Sequence, residues 1–183
     1  MSAAASARSG AGPFVVDLRD LPRQPGQAKS LERRLSAPSD WAVAMIGLKA
    51  GQPLDLVCQL EAVGEGVWVS GRVDFGLVGQ CSRCLTEIDR PGQALFQDLF
   101  VYPGRAVEDA DLARVVGQTI DLEPLARDAV VLDLPLAPLC RDDCLGLCAQ
   151  CGANLNDDPR HSHTDAVDER WVGLSQWVQS QSE

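Results

Sequence analysis

Seven cysteines stand at positions 58, 81, 84, 140, 144, 148 and 151, and six of them fall into two tight groups. Cys81-Ser-Arg-Cys84 and Cys148-Ala-Gln-Cys151-Gly152 are each a Cys-x-x-Cys knuckle. Two intervening residues let one turn present both sulfurs to a tetrahedral Zn²⁺ at about 2.3 Å, and a glycine behind the second cysteine lets backbone amides approach them. The first reading is a closed structural zinc site made of Cys81, Cys84, Cys148 and Cys151, tying a hairpin end to the C-terminal region. Cys140 and Cys144 leave alternatives open. With Cys148 and Cys151 they form a local set of four thiols, or they join Cys81 and Cys84 while His161 and His163 supply ligands to a second site. Spacing alone does not choose among these sets.

Other chemistries fit the same residues less well. A thioredoxin-like dithiol opens a helix within a βαβ pattern, whereas Cys81 terminates antiparallel β structure. An iron–sulfur cluster would use four thiolates and is the lesser reading beside zinc. Catalytic zinc needs an open coordination position with an acid or base beside it, and no such set is evident, so no enzymatic activity and no small-molecule substrate are expected. The adjacent acids Asp142 and Asp143, and Asp157 and Asp158, read as solvated loops. Cys58 lies on the apolar side of an alternating run and reads as a small buried hydrophobe.

The elements that must position these groups are β-rich first and helical later. Leu54, Leu56, Cys58, Leu60 and Ala62 alternate with polar residues, and the pattern resumes after Gly64-Glu65-Gly66 through Val67, Val69, Val73, Phe75 and Leu77. Period 2 on both sides of a Gly-rich turn predicts a β-hairpin running into Cys81. Further strands are expected near Phe14 to Leu18, Trp41 to Leu48, Ala94 to Tyr102, and through Val115 and Ile120. Asp121 and Pro124 start a helix with Leu122, Leu125, Ala126, Ala129 and Val130 on one face. Leu134-Pro-Leu-Ala-Pro138 then runs extended into the cysteines. A last helix is expected over about 165–179, with Val167, Trp171, Leu174 and Val178 inward and Trp177 helping to anchor it. The fold class is α+β: an antiparallel sheet or partly closed barrel, two C-terminal helices and a Cys-rich zinc-binding loop. Residues 1–13 read as a disordered tail, 14–180 as one domain with a β-rich part at 41–102 and a helical, Cys-rich part at 121–180, and 105–112 as a mobile acidic loop.

With 183 residues, 45% of them hydrophobic, the chain can bury a core, which argues against wholesale disorder and against a large multi-domain enzyme. It shows no run long enough to span a bilayer and no apolar core of a secretory signal, so a soluble, cytoplasmic protein without a membrane partner is expected. The net charge is −10, and only the first 40 residues are net basic. That balance disfavours a broad nucleic-acid face and suits a basic protein partner. Direct RNA contact would fall to the arm carrying Arg33 and Arg34, which otherwise read as a solvated helix face.

The ordered motifs Gly79-Gln-Cys81-Ser-Arg-Cys84-Leu, Ile120-Asp-Leu-Glu-Pro-Leu-Ala-Arg-Asp128, Leu134-Pro-Leu-Ala-Pro-Leu-Cys140 and Cys144-Leu-Gly-Leu-Cys148-Ala-Gln-Cys151-Gly-Ala-Asn154-Leu-Asn156 continue into Asp168-Glu-Arg-Trp171. Over residues 14–180 the chain resembles the YceD family, the large ribosomal RNA subunit accumulation proteins, in an actinobacterial-like form with a C-terminal cysteine cluster. The resemblance implies a bacterial cytoplasmic factor, with plastid relatives, that supports processing or accumulation of 23S ribosomal RNA without a catalytic activity. Ribosome assembly components would be its partners: a basic ribosomal protein, another biogenesis factor, or 23S rRNA itself. It also implies a zinc-binding role for Cys81, Cys84, Cys140, Cys144, Cys148 and Cys151. His161-Ser-His163 departs from the further cysteines found there in many relatives.

Overall fold

The period-2 alternation builds the frame. The computed structural model describes residues 12–104 and 112–163. In β4 (Pro53–Ala62) the residues Leu54, Leu56, Cys58, Leu60 and Ala62 are buried along one side, and in β5 (Gly66–Gln80) so are Val67, Val69, Val73, Phe75 and Leu77. The two strands pair antiparallel from Ala62↔Val67 to Asp55↔Asp74. Gly66 is already the first residue of β5, where any added Cβ would lie 2.1 Å from the Phe100 carbonyl oxygen.

β6 (Glu87–Val101) pairs with β5 along its whole length, from Gly66↔Val101 to Gln80↔Glu87. Each of these two strands has 15 residues. At about 3.4 Å per residue the hairpin is roughly 50 Å long, so it outruns β4. Past Asp74 the same edge of β5 is taken over by β3 (Ile46–Leu48), in register from Leu48↔Leu77 to Ile46↔Gly79. The apolar run from Ala94 resolves as a strand with Ala94, Phe96 and Phe100 buried and Leu95 exposed. Trp41 is fully buried ahead of β3, stacked at a tilt on Phe14 with ring centroids 5.6 Å apart.

β2 (Ala28–Ser36) covers the outer edge of β4 over its full length. This corrects the expectation of a helix face for Arg33 and Arg34. Lys29, Leu31, Arg33 and Leu35 alternate inward, half-buried, and the open donors and acceptors of β4 give that segment a reason to extend rather than coil. The backbone ladder ends at β2 on one side and β6 on the other, so the described strands make an open sheet and do not close a barrel. β1 (Val15–Asp17) and β7 (Thr119–Asp121) form a separate two-stranded ribbon.

α1 (Glu123–Asp133) follows β7 directly. The Asp121 carboxylate accepts a hydrogen bond from the Glu123 N–H at 3.0 Å, and Leu122, Ala126 and Val130 are fully buried on the face turned to β6 and β5. Leu134 is extended, with φ −66° and ψ 129°, as a residue before proline prefers, and the helix ends there. The chain then returns without regular structure to Cys140. Of the two helices expected near the C-terminus, α1 is the one among the described residues. The second, over about 165–179 with Trp171 and Trp177, lies outside them, as do residues 1–11 of the tail expected over 1–13 and most of the acidic loop, 105–111.

Gly71 is a point of close approach between β5 and β4. A Cβ there would meet the Val57 carbonyl oxygen at 2.4 Å and Cys58 Cβ at 2.5 Å, both on β4. Gly71→Ala is therefore expected to lower unfolding stability by about 2 kcal/mol in a denaturant titration, while Gly64→Ala, with nothing within 4 Å, stays near wild type. Equal stability of the two variants would contradict the observed register of β4 on β5.

Candidate metal centres

The far end of the long hairpin is the first knuckle. Gln80 and Glu87 are the last paired residues, and Cys81 to Thr86 make the turn. Cys81 N–H donates to the Thr86 carbonyl at 2.8 Å, and Leu85 N–H donates back to the Cys81 carbonyl at 3.0 Å. The second knuckle repeats this pattern. Leu147 and Asn154 bridge across its base, Cys148 N–H donates to Ala153 O at 2.8 Å, and Gly152 N–H donates to Cys148 O at 2.8 Å. Both turns place the residue after the second cysteine in the left-handed region, Leu85 at φ 60° and Gly152 at φ 73°. Glycine occupies such a position at no steric cost, whereas leucine pays about 1–2 kcal/mol.

The structure does not bring the two knuckles together. Cys81 and Cys84 meet Cys140 and Cys144, and Cys148 and Cys151 meet His161 and His163, each group with its donor atoms within 4.8 Å of one another. In the first group the Cys81 and Cys144 sulfurs are 3.8 Å apart and those of Cys84 and Cys140 3.5 Å. These separations are far beyond a disulfide bond, and all seven cysteines are free thiols. They are close to the edge of a tetrahedron with 2.3 Å metal–sulfur bonds, roughly 3.8 Å. In the second group Cys151 Sγ lies 3.2 Å from His161 Nε2 and 3.3 Å from His163 Nε2, and the two imidazole nitrogens are 2.9 Å apart. Either donor set could hold a metal ion.

Electrostatics separates the thiols within each group. For Cys81, burial opposes ionisation, but the N–H groups of Cys84, Cys140 and Arg83 aimed at its sulfur prevail and hold it down at about 6. Cys148 is likewise held at about 6 by the N–H groups of Cys151 and Gln150. Cys84 is lowered by its contacts with the Thr86 hydroxyl and backbone. Cys140 is pushed up to about 12, first by desolvation of its sulfur and then by the crowding of Cys84, Cys144 and Cys81.

The segment around Cys140 and Cys144 is strapped onto the hairpin end. Ser82 N–H donates to Pro138 O at 2.8 Å, Arg83 Nη1 to Cys144 O at 2.9 Å, and Leu147 N–H to Arg83 O at 3.1 Å. Asn156 completes the fastening. Its Oδ1 accepts from Leu145 N–H at 2.9 Å and Arg141 Nη2 at 2.8 Å, while its Nδ2 donates to Asn154 Oδ1 at 2.7 Å and reaches Cys144 Sγ at 3.5 Å. Sequence reasoning on metal donors passed over Asn156. Its signal was the Asn154-Leu-Asn156 motif directly behind the second knuckle.

The remaining singled-out residues sit elsewhere. Cys58 is in the core, where burial pushes its thiol up to about 11. Arg33 donates to the carbonyls of Pro13 at 2.8 Å and Val15 at 2.7 Å, holding β1 against β2, and Arg34 is exposed, 3.6 Å from the Asp55 carboxylate. The acids Asp142, Asp143, Asp157 and Asp158 are exposed.

Comparison with known proteins covers the same ground. The family model described as "Large ribosomal RNA subunit accumulation protein YceD" matches residues 69–176, a span that includes most of the long hairpin, α1 and both donor groups. The uncharacterized protein Rv2926c of Mycobacterium tuberculosis is 40% identical over 177 residues, 94% of this chain and 85% of that protein. The uncharacterized protein ML1660 of Mycobacterium leprae is 38% identical over 167 residues, covering 89% and 76%. The uncharacterized protein YlbN of Bacillus subtilis is 25% identical over 116 residues, covering 60% and 67%. No solved structure matches the chain.

The two equivalent turns make a paired prediction. Leu85→Gly is expected to leave stability unchanged or raise it by up to about 1 kcal/mol, and Gly152→Leu to loosen its knuckle by about 1–2 kcal/mol. Amide exchange at Leu85 or its replacement, and at Cys148, reads both. Faster exchange in the Leu85→Gly turn would show that the left-handed residue is not a shared cost.

Proposed function

This chain belongs to the YceD family, and on that premise we propose that it is a non-enzymatic ribosome biogenesis factor supporting accumulation of 23S ribosomal RNA, its fold held by a structural zinc ion. The observation that carries the structural half is the meeting of Cys81 and Cys84 with Cys140 and Cys144. Those four thiolates would hold the ion, which when bound supplies a cross-link between hairpin end and returning chain. Four protein sulfurs saturate a tetrahedral zinc and leave no position for substrate, which favours a structural over a catalytic role. Free thiols of this kind suit a reducing compartment, the bacterial cytoplasm.

For the partner, charge is the guide. A chain of net charge −10 attracts a basic ribosomal protein or another assembly factor more readily than it attracts phosphate. Direct rRNA binding through the N-terminal arm is the second reading. It is weakened by the engagement of Arg33 with two backbone carbonyls and of Arg34 with Asp55.

Two outcomes follow. Protein purified without chelator is expected to carry zinc by elemental analysis, and Cys84→Ser or Cys140→Ser to lose an ion and lower the melting temperature, because binding at such sites is folding free energy. Full zinc content in either variant removes that cysteine from the site. In cells, capture of the chain is expected to bring down large-subunit assembly components equally with and without ribonuclease. Loss of every partner on ribonuclease treatment, together with RNA affinity that falls steeply with salt, would replace the adaptor by the RNA-binding reading.

A further inference from the structure

The second donor group differs from the first in composition, exposure and charge. Cys81, Cys84 and Cys144 are buried, with only Cys140 exposed. In the other group Cys151 and His163 are exposed and Cys148 and His161 half-buried. Four thiolates around a divalent ion leave a net charge of −2, and the first group sits against the guanidinium of Arg83, which is fixed on the Cys144 carbonyl. Two thiolates and two neutral imidazoles around the same ion leave none. The His161 and His163 rings meet edge to face, 81° apart, with both Nε2 atoms turned toward Cys151 Sγ. An imidazole nitrogen pair at 2.9 Å facing a thiol is a donor set converging on one point.

We propose that Cys148, Cys151, His161 and His163 form a second zinc site that exchanges its ion with solution, while the buried group keeps its own. The inference rests on the zinc reading of the first group and extends it. Solvent reaches two of the four donors, so a competing ligand can attack the bound ion directly, whereas three of the four donors of the first group are buried. The two sites share one piece of chain. The loop from Cys144 to Asn156 runs out through the second knuckle and returns to place Asn156 Nδ2 on the Cys144 sulfur. Occupancy of the second site therefore orders the residue that braces the first. Zinc supply would set how firmly this face is held without emptying the buried site.

The test uses the full chain purified without chelator. Elemental analysis is expected to find two zinc ions per chain, and a chromophoric chelator to take one of them in a fast phase resolved from the slow release of the other. The His161→Ala/His163→Ala variant should retain one ion, the slow one. Cobalt(II) titration of metal-free wild-type chain under reducing conditions gives an independent reading. Two tetrahedral spectra are expected, and the one with fewer sulfur-to-cobalt charge-transfer bands should be absent from the double variant. One slowly released ion per wild-type chain, or two ions kept by the double variant, overturns the second site alone. No tightly bound metal at all would overturn the structural zinc as well.

Discussion

The described chain beyond α1, residues 134–163, turns on one long-range closure: the sulfurs of Cys140 and Cys144 reaching those of Cys84 and Cys81 at the end of the β5–β6 hairpin. The returning segment has no helix or strand of its own among the described residues from 134 to 163. Leu134 and Cys144 reach the core and Leu139 and Leu147 pack against it, but no regular backbone ladder holds the segment. A cross-link closing a loop of this size restricts the unfolded chain by about 4 kcal/mol if disulfide-type loop entropy is a guide. Hydrogen bonds from the Ser82 and Leu147 N–H groups and the Arg83 guanidinium join the same two segments.

The rest of the fold presents that hairpin end. Apolar alternation on β4 and β5 forms the core, and the extra length of β5 and β6 carries the turn away from it. β3 supports the overhang, and α1 packs on β6 so that its C-terminus releases the chain toward the knuckle. Charge and chemistry are thereby separated. The arginines of β2 serve the frame, Arg33 by capping two carbonyls, while the candidate metal donors gather where the chain returns to the hairpin end.

Local rules read well from residues alone where the interaction itself is local. The alternation from Leu54 to Leu77 marked the central hairpin, and Leu122, Ala126 and Val130 marked the buried face of α1. Lys29 to Leu35 misled because a segment with charges at half its positions looks like a solvated face. Only the unpaired edge of β4 shows that its inward residues Leu31 and Leu35 have a sheet to lie on. The Asn154-Leu-Asn156 motif marked Asn156 as a residue of interest, but its contact with the Cys144 sulfur follows only from the way the loop returns.

The cysteines show the division most plainly. A Cys-x-x-Cys spacing at the end of antiparallel β structure predicts a knuckle, because two intervening residues let one turn aim both sulfurs to the same side. Both Cys81–Cys84 and Cys148–Cys151 fold that way, with the same hydrogen bonds. Which donors complete each knuckle was beyond the reach of spacing. It was decided by where α1 ends and how its extended continuation meets the hairpin, which sets Cys140 and Cys144 beside the first turn and leaves the second to the histidines. Pairing across such separations is a property of packed elements, and it exists only once the core has fixed their positions.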